Sequence, residues 1–342
     1  MDELMWDALG AAVHAQHQRA LPAARLPDPD GALVAALLRK AEAVQLDGLV
    51  ADGLLARGVA LPAGAAERAR RRSLAQAVML STARAAVHDA FHAAGVPHVF
   101  LKGAVTDAAF LGGRGRRGVS DLDVLVPAAA EPEAHGALLA LGYRRDLPPR
   151  HVATTLASKE RCYLAAGQLA VDLHVRALNS PPFGDDTPGI LARAADWETP
   201  DGTRIPGPGA EDLVVIAVGN LAGDRFLPRY KMAVDAWGAL AHAADAAVVE
   251  QRCRALGLGW AWWALAELLA ARWQLSLHAA LPPPWARPVL AGLAGVHGAP
   301  WRTPDKGLGA LLAGWPWTER PDGALRAALR WAALRARDAA AR

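Results

Sequence analysis

Cysteine is almost absent: Cys162 and Cys253 are the only two in 342 residues. With no Cys-x-x-Cys spacing and no histidine pair beside them, they give neither a zinc site nor a disulfide framework, and both read as ordinary buried thiols. Long apolar runs are missing as well. No window of about 18 apolar residues is free of charge, which argues against a membrane span. Met1-Asp2-Glu3-Leu4 has acids where a secretory leader needs a basic start, so a cytoplasmic chain without a membrane partner is expected. Nor is there an excess of one charge. The 37 Lys and Arg leave a net charge of only +3, so no stable nucleic-acid partner is expected. Lysine itself is rare, at 40, 102, 159, 231 and 306 in a chain that otherwise uses arginine. Lys102 and Lys231 therefore ask for a reason.

The chain is long enough to bury a sizeable core. From Leu33 to Gly95 apolar residues recur at helical spacing, as in Leu74-Val78-Leu80-Ala83, with Pro62 and Gly64 marking a break. Gly95 is a good C-terminal cap, and a strand is expected from His98. Ala104 to Leu111 reads as a short helix, Gly112 to Gly118 as a basic flexible loop and Asp121 to Val126 as a strand. Residues 161–164 and 169–175 read as a hairpin turning at Ala166-Gly167. Residues 179–209 are rich in Pro, Gly and Asp and read as surface loop, before helices resume at Ala210. Ten of the twelve Trp lie from Trp237 onward. The expected division is a helical region at 1–95, an α/β core at 96–205 and a Trp-rich helical region at 206–342, an α+β fold around a small mixed sheet.

The chemistry concentrates in Ser120-Asp121-Leu122-Asp123-Val124-Leu125-Val126. Side chains alternate along a strand, so Asp121 and Asp123 share one face while Leu122, Val124 and Val126 share the other. Two carboxylates so close repel unless a cation lies between them. Mg²⁺, held by one or two carboxylates and substrate phosphates, is the obvious cation, and Mn²⁺ its substitute. The same alternation in Val171-Asp172-Leu173-His174-Val175 puts Asp172 and His174 opposite the apolar face, making Asp172 a third candidate carboxylate. The bland readings are specific too. Asp-x-Asp can be a plain strand start, His174 a structural histidine, and Lys231 with Asp235 a solvent-facing helical salt bridge. Arg68 and Arg70–72 read as a solvated helix face, Trp260, Trp262 and Trp263 as interior packing.

In order, Leu101-Lys102-Gly103, the basic loop with Arg116 and Arg117, the Asp-x-Asp strand and Val171-Asp172-Leu173-His174 resemble the DNA polymerase beta-like nucleotidyltransferase superfamily. Within it they look closely like the bacterial group labelled nucleotidyltransferase family proteins, over about residues 70 to 240. Gly112-Gly113 would also satisfy a loose glycine spacing, but Gly103 has a strand before it and a helix after it. The resemblance implies Mg²⁺-dependent transfer of a nucleoside monophosphate from a nucleoside triphosphate to an acceptor. Asp121, Asp123 and Asp172 would be the catalytic, metal-holding carboxylates. Lys102, Gly103, Ser120, Arg116, Arg117 and Lys231 would contact phosphates, with Lys231 and Asp235 matching a Lys and Asp of the group, and His174 would meet the base or acceptor. Members lie near genes for surface polysaccharides and ribosomally made peptides, so a peptide, sugar or small-molecule acceptor is favoured over tRNA. The rivals are a nucleotide-binding scaffold without turnover and a toxin-like transferase acting on tRNA or protein.

Overall fold

The computed structural model describes residues 1–16, 29–146, 160–178, 183–199, 202–223, 229–242, 244–275, 277, 279–294 and 296. The helical N-terminal layer comprises α1 (Asp2–Gln16), α2 (Gly31–Ala43), α3 (Asp47–Ala56) and α4 (Ala65–Ala93). Asp30 caps α2 by accepting the Leu33 N–H at 2.7 Å. The break expected at Pro62-Gly64 ends in Gly64 at φ 70°, and Gly95, at φ 67°, closes α4. The apolar register of α4 departs from the sequence reading. Its buried stripe includes Ala69, Ser73, Leu80, Ala83, Val87 and Phe91, while Leu74 and Val78 are 62% and 58% exposed.

The core follows as β1 (Val99–Phe100), α5 (Gly103–Phe110), β2 (Asp121–Leu125), α6 (Glu131–Ala140), β3 (Arg144–Arg145), β4 (Glu160–Leu164) and β5 (Ala170–His174). The five strands form one mixed sheet ordered β1-β2-β5-β4-β3. Its β2–β5 pair is parallel and the other pairings are antiparallel, including the expected β4–β5 hairpin. One face, with Phe100, Leu122, Val124, Tyr163, Val171 and Leu173, joins the main core with Val87 and Phe91 of α4 and Leu138 of α6. The other face holds a small separate apolar cluster, in which Val99, Leu101 and Leu125 meet Ala177, Ile190 and Ile216. The carboxylates stand on this second face.

The described residues of the segment 179–209 have more regular structure than its composition suggested. They contain α7 (Thr187–Ala192) and a separate hairpin of β6 (Ala195–Glu198) with β7 (Arg204–Gly207). Its Trp197 bonds the Pro208 carbonyl at 2.9 Å and meets Phe110 of α5 edge-on. Tertiary packing thus gave a Pro- and Gly-rich segment regular structure that local propensity does not announce. Helices resume at Ala210 as expected: α8 (Ala210–Gly223), α9 (Arg229–His242), α10 (Ala246–Ala255), α11 (Gly259–Trp273) and α12 (Ala286–Ala294). Trp262 and Trp263 are interior, 0% and 5% exposed. Among the described residues no helix is long and apolar enough to cross a membrane. The amphipathic segment around Leu325, Leu329 and Trp331 lies outside the described residues.

Candidate active site

The parallel register decides the geometry. Asp123 and Asp172 are direct neighbours across β2 and β5, Asp121 lies beside Ala170, and Leu125 beside His174. Both carboxylates therefore stand in one row on one face, a strand spacing of about 4.8 Å apart. On the far side the Leu101 N–H bonds the Asp123 carbonyl at 3.0 Å, so the chain passes from β1 into α5 directly beside this row.

Asp123 is the hub. Only 5% exposed, it takes two donors on a single oxygen: Lys102 Nζ at 2.6 Å and His174 Nε2 at 2.7 Å from Oδ1. Burial pushes its carboxyl up, but the Lys102 charge and the His174 hydrogen bond win and hold it well below the usual carboxylate range. Asp121 moves the other way. Burial and then the charge of Asp123 raise it, against relief from Lys102, a Ser120 hydrogen bond and Lys231. Lys231, reaching from α9, bonds Gln45 Oε1 in the turn between α2 and α3. Burial and then the Arg117 guanidinium lower its ammonium to about 8. Lys102, Gly103, Ser120, Asp121, Asp123, Asp172, His174 and Lys231 are thus brought to one place.

Several of the expected site residues have partners elsewhere in the fold. Arg117 is 4% exposed and committed to Asp235, with Nε–Oδ1 at 3.0 Å and Nη2–Oδ2 at 2.8 Å. It lies beneath the site, so its planar donors are already used. Arg116 points into the N-terminal layer, to Asp52 at 2.9 Å and Gln16 at 2.6 Å. The basic loop is pinned rather than free, because the buried Asp107 carboxylate accepts the backbone N–H of Gly115 and of Arg117. Lys231 and Asp235 form no helical salt bridge. Asp235 answers Arg117 and also accepts Thr106 Oγ1 at 2.6 Å. His174, 0% exposed, contacts Asp123 through Nε2.

Among the described residues no three His, Cys, Asp or Glu side chains are disposed to hold one ion. Asp172 stands a strand away and accepts the thiol of its register partner Cys162, whose pKa is pushed up to about 12 by burial and then by Asp172. What remains fits a metal with two protein carboxylates, Asp121 and Asp123, completed by phosphate oxygens and water, which is how Mg²⁺ is usually held. The Lys102 ammonium on Asp123 Oδ1 shows that this oxygen accommodates a cation.

Sequence reasoning missed Gln45, Thr106, Asp107 and Cys162. Thr106-Asp107 did carry a signal, being two polar residues in the otherwise apolar run Ala104–Leu111, and they are 1% and 2% exposed. Gln45 carried none, since its role depends on Lys231 arriving from 186 residues away.

A family model described as an uncharacterised nucleotidyltransferase matches residues 31–274, well over half of the chain. The chain belongs to this nucleotidyltransferase family. The matched span extends the resemblance read from sequence in both directions, taking in α2 and α3 at one end and α10 and α11 at the other. The Trp-bearing α11 therefore lies within the matched span. No curated protein matches the chain.

Proposed function

We propose that this nucleotidyltransferase-family protein moves a nucleoside monophosphate from a nucleoside triphosphate to an acceptor hydroxyl or similar oxygen, with Mg²⁺ or Mn²⁺. The observation that carries the reading is the row formed by Asp123 and Asp172 on parallel strands, flanked by Asp121, the Lys102-Gly103 start of α5 and Lys231. The acceptor oxygen attacks the α-phosphorus, the bond to the bridging oxygen of the β-phosphate breaks, and pyrophosphate leaves with that oxygen. Asp172, beside the metal-facing pair, takes the acceptor's proton, and the Cys162 thiol fixes its orientation. Lys102 and Lys231 draw the triphosphate onto the site, and the N-terminus of α5 adds its dipole. Asp121 and Asp123 would hold Mg²⁺, which would supply positive charge to the phosphate oxygens. A peptide, sugar or small-molecule acceptor is favoured over tRNA by the internal pairing of the expected arginines, Arg116 with Asp52 and Arg117 with Asp235.

The test is Mg²⁺-dependent pyrophosphate release and label transfer with each of the four nucleoside triphosphates. Asp123→Asn should lower transfer by roughly 10²–10³-fold while circular dichroism stays unchanged. Unaltered turnover in that variant would remove Asp123 from the chemistry. One observation favours the scaffold reading, namely that Lys102 and His174 already fill Asp123 Oδ1. Nucleotide binding without transfer to any acceptor would move that reading to the front.

A further inference from the structure

Lys102 has a backbone that lysine ordinarily avoids. At φ 52° and ψ −133° it lies outside the left-handed helical well as well as the right-handed one, in a region that glycine occupies without penalty. Gly103 follows immediately, so the turn has taken its one glycine at the next position. There it is required sterically, since a Cβ on Gly103 would stand 2.4 Å from Arg117 Nη1 and 2.5 Å from Val119 Cγ1. The strain at position 102 is repaid by what the side chain does. Its ammonium reaches Asp123 Oδ1, and a carboxylate that is 5% exposed is costly to leave without a counter-charge.

The two donors on Asp123 Oδ1 are not equivalent. His174 is 0% exposed and is held in β5 one row below Asp172. Lys102 has a side chain 23% exposed on a flexible four-carbon stem at the mouth of the row. Of the two, Lys102 is the one that can leave.

We propose that Lys102 is the site's resident counter-cation, which exchanges with the metal–nucleotide: its ammonium neutralises Asp123 until a divalent ion arrives, then transfers to the triphosphate brought with that ion. This rests on the metal and nucleotide reading above and adds how the two ligands are coupled. A divalent ion arriving alone must displace the ammonium from its 2.6 Å contact with Asp123 and brings no phosphate to replace that contact, so it binds weakly. When it arrives with a triphosphate, the displaced ammonium gains phosphate oxygens and both ligands bind better. Because such coupling is reciprocal, the metal must tighten the nucleotide by the same factor.

The experiment is Mn²⁺ binding followed by the electron paramagnetic resonance signal of the free aquo ion. It is run with and without the α,β-methylene analogues of the four nucleoside triphosphates, on wild type and on Lys102→Met, Lys102→Gly and Lys102→Arg. Wild type should bind Mn²⁺ weakly alone and roughly 5–150-fold more tightly with nucleotide. Lys102→Met should bind Mn²⁺ alone more tightly than wild type and lose most of the coupling, whereas Lys102→Arg should keep it. Lys102→Gly should behave as the Met variant with a higher Tm, because glycine relaxes the turn, and it serves if the Met variant folds poorly. Coupling in wild type together with unchanged or weaker metal-alone binding in the Met and Gly variants overturns the exchange and leaves the proposed function standing. Nucleotide binding with no Mn²⁺ bound by any form overturns the metal reading itself, and the exchange with it.

Discussion

Arg117 and Asp235 illustrate how a residue's partner can reverse its reading. From sequence, Arg117 is a free cation in a glycine-rich loop; in the fold it is a buried bidentate partner of a carboxylate 118 residues away. That distance in sequence is why it was illegible, whereas the Asp121–Asp123 pair was legible from strand alternation alone. Truncating Arg117 to Ala leaves the buried Asp235 without its bidentate guanidinium, and should lower the unfolding free energy in urea by about 3–5 kcal/mol. Lys231 gives a pH signature of opposite sign for binding and for folding. With its folded pKa at about 8, it loses charge as pH rises past that value, so the KM for nucleotide should climb on the alkaline side and Lys231→Met should abolish that limb. Folding stability should instead gain as pH rises from about 8 to the ordinary 10.5, because there the unfolded chain holds the proton that the folded one has released. Urea midpoints at pH 8 and 10, compared between wild type and Lys231→Met, separate the two effects.

The elements were legible where one period dominates and illegible where close backbone approach decides. The β4–β5 hairpin, the start of α5 and the start of α8 follow from alternation, glycine and helical spacing. The stripe that α4 buries did not, because Leu74 and Val78 lie on the side away from the sheet while Ser73 and Ala69 face inward. Nor did the contact between α1 and α3. A Cβ at Gly53 would stand 1.8 Å from the carbonyl oxygen of Ala8, a backbone atom that cannot turn aside. Gly53→Ala should therefore push α1 off α3 and destabilise the fold by about 1–3 kcal/mol. Hydrogen exchange would show the opening, with the amides of Leu4 to Val13 losing protection before those of β2 and β5.

Across the whole molecule, the first helix is fastened to one of the last. Trp273, fully buried at the end of α11, donates its Nε1 proton to the Trp6 carbonyl at 2.9 Å. His14 Nε2 donates to the Trp273 carbonyl at 3.1 Å, and Arg272 pairs with Glu3. Gly10 is the small residue that admits the indole, since a Cβ there would meet Trp273 Cδ1 at 2.6 Å. Trp273→Ala should cost about 3–5 kcal/mol in a urea melt and take with it much of the near-ultraviolet circular dichroism. Trp262 and Trp263 could be read as core from sequence, but the element that Trp273 closes on could not.

This clasp also sets a schedule for synthesis. α3 follows α1 within a few tens of residues and covers one side of it, but the side at Trp6 and Gly10 leaves the ribosome long before Trp273, which closes on it, is made. At about 5–20 residues per second the interval before Trp273 is translated is roughly 15–50 s. Over that time the Trp6 side of α1 lacks the indole that seals it, so the N-terminal layer completes its packing only once α11 has been made.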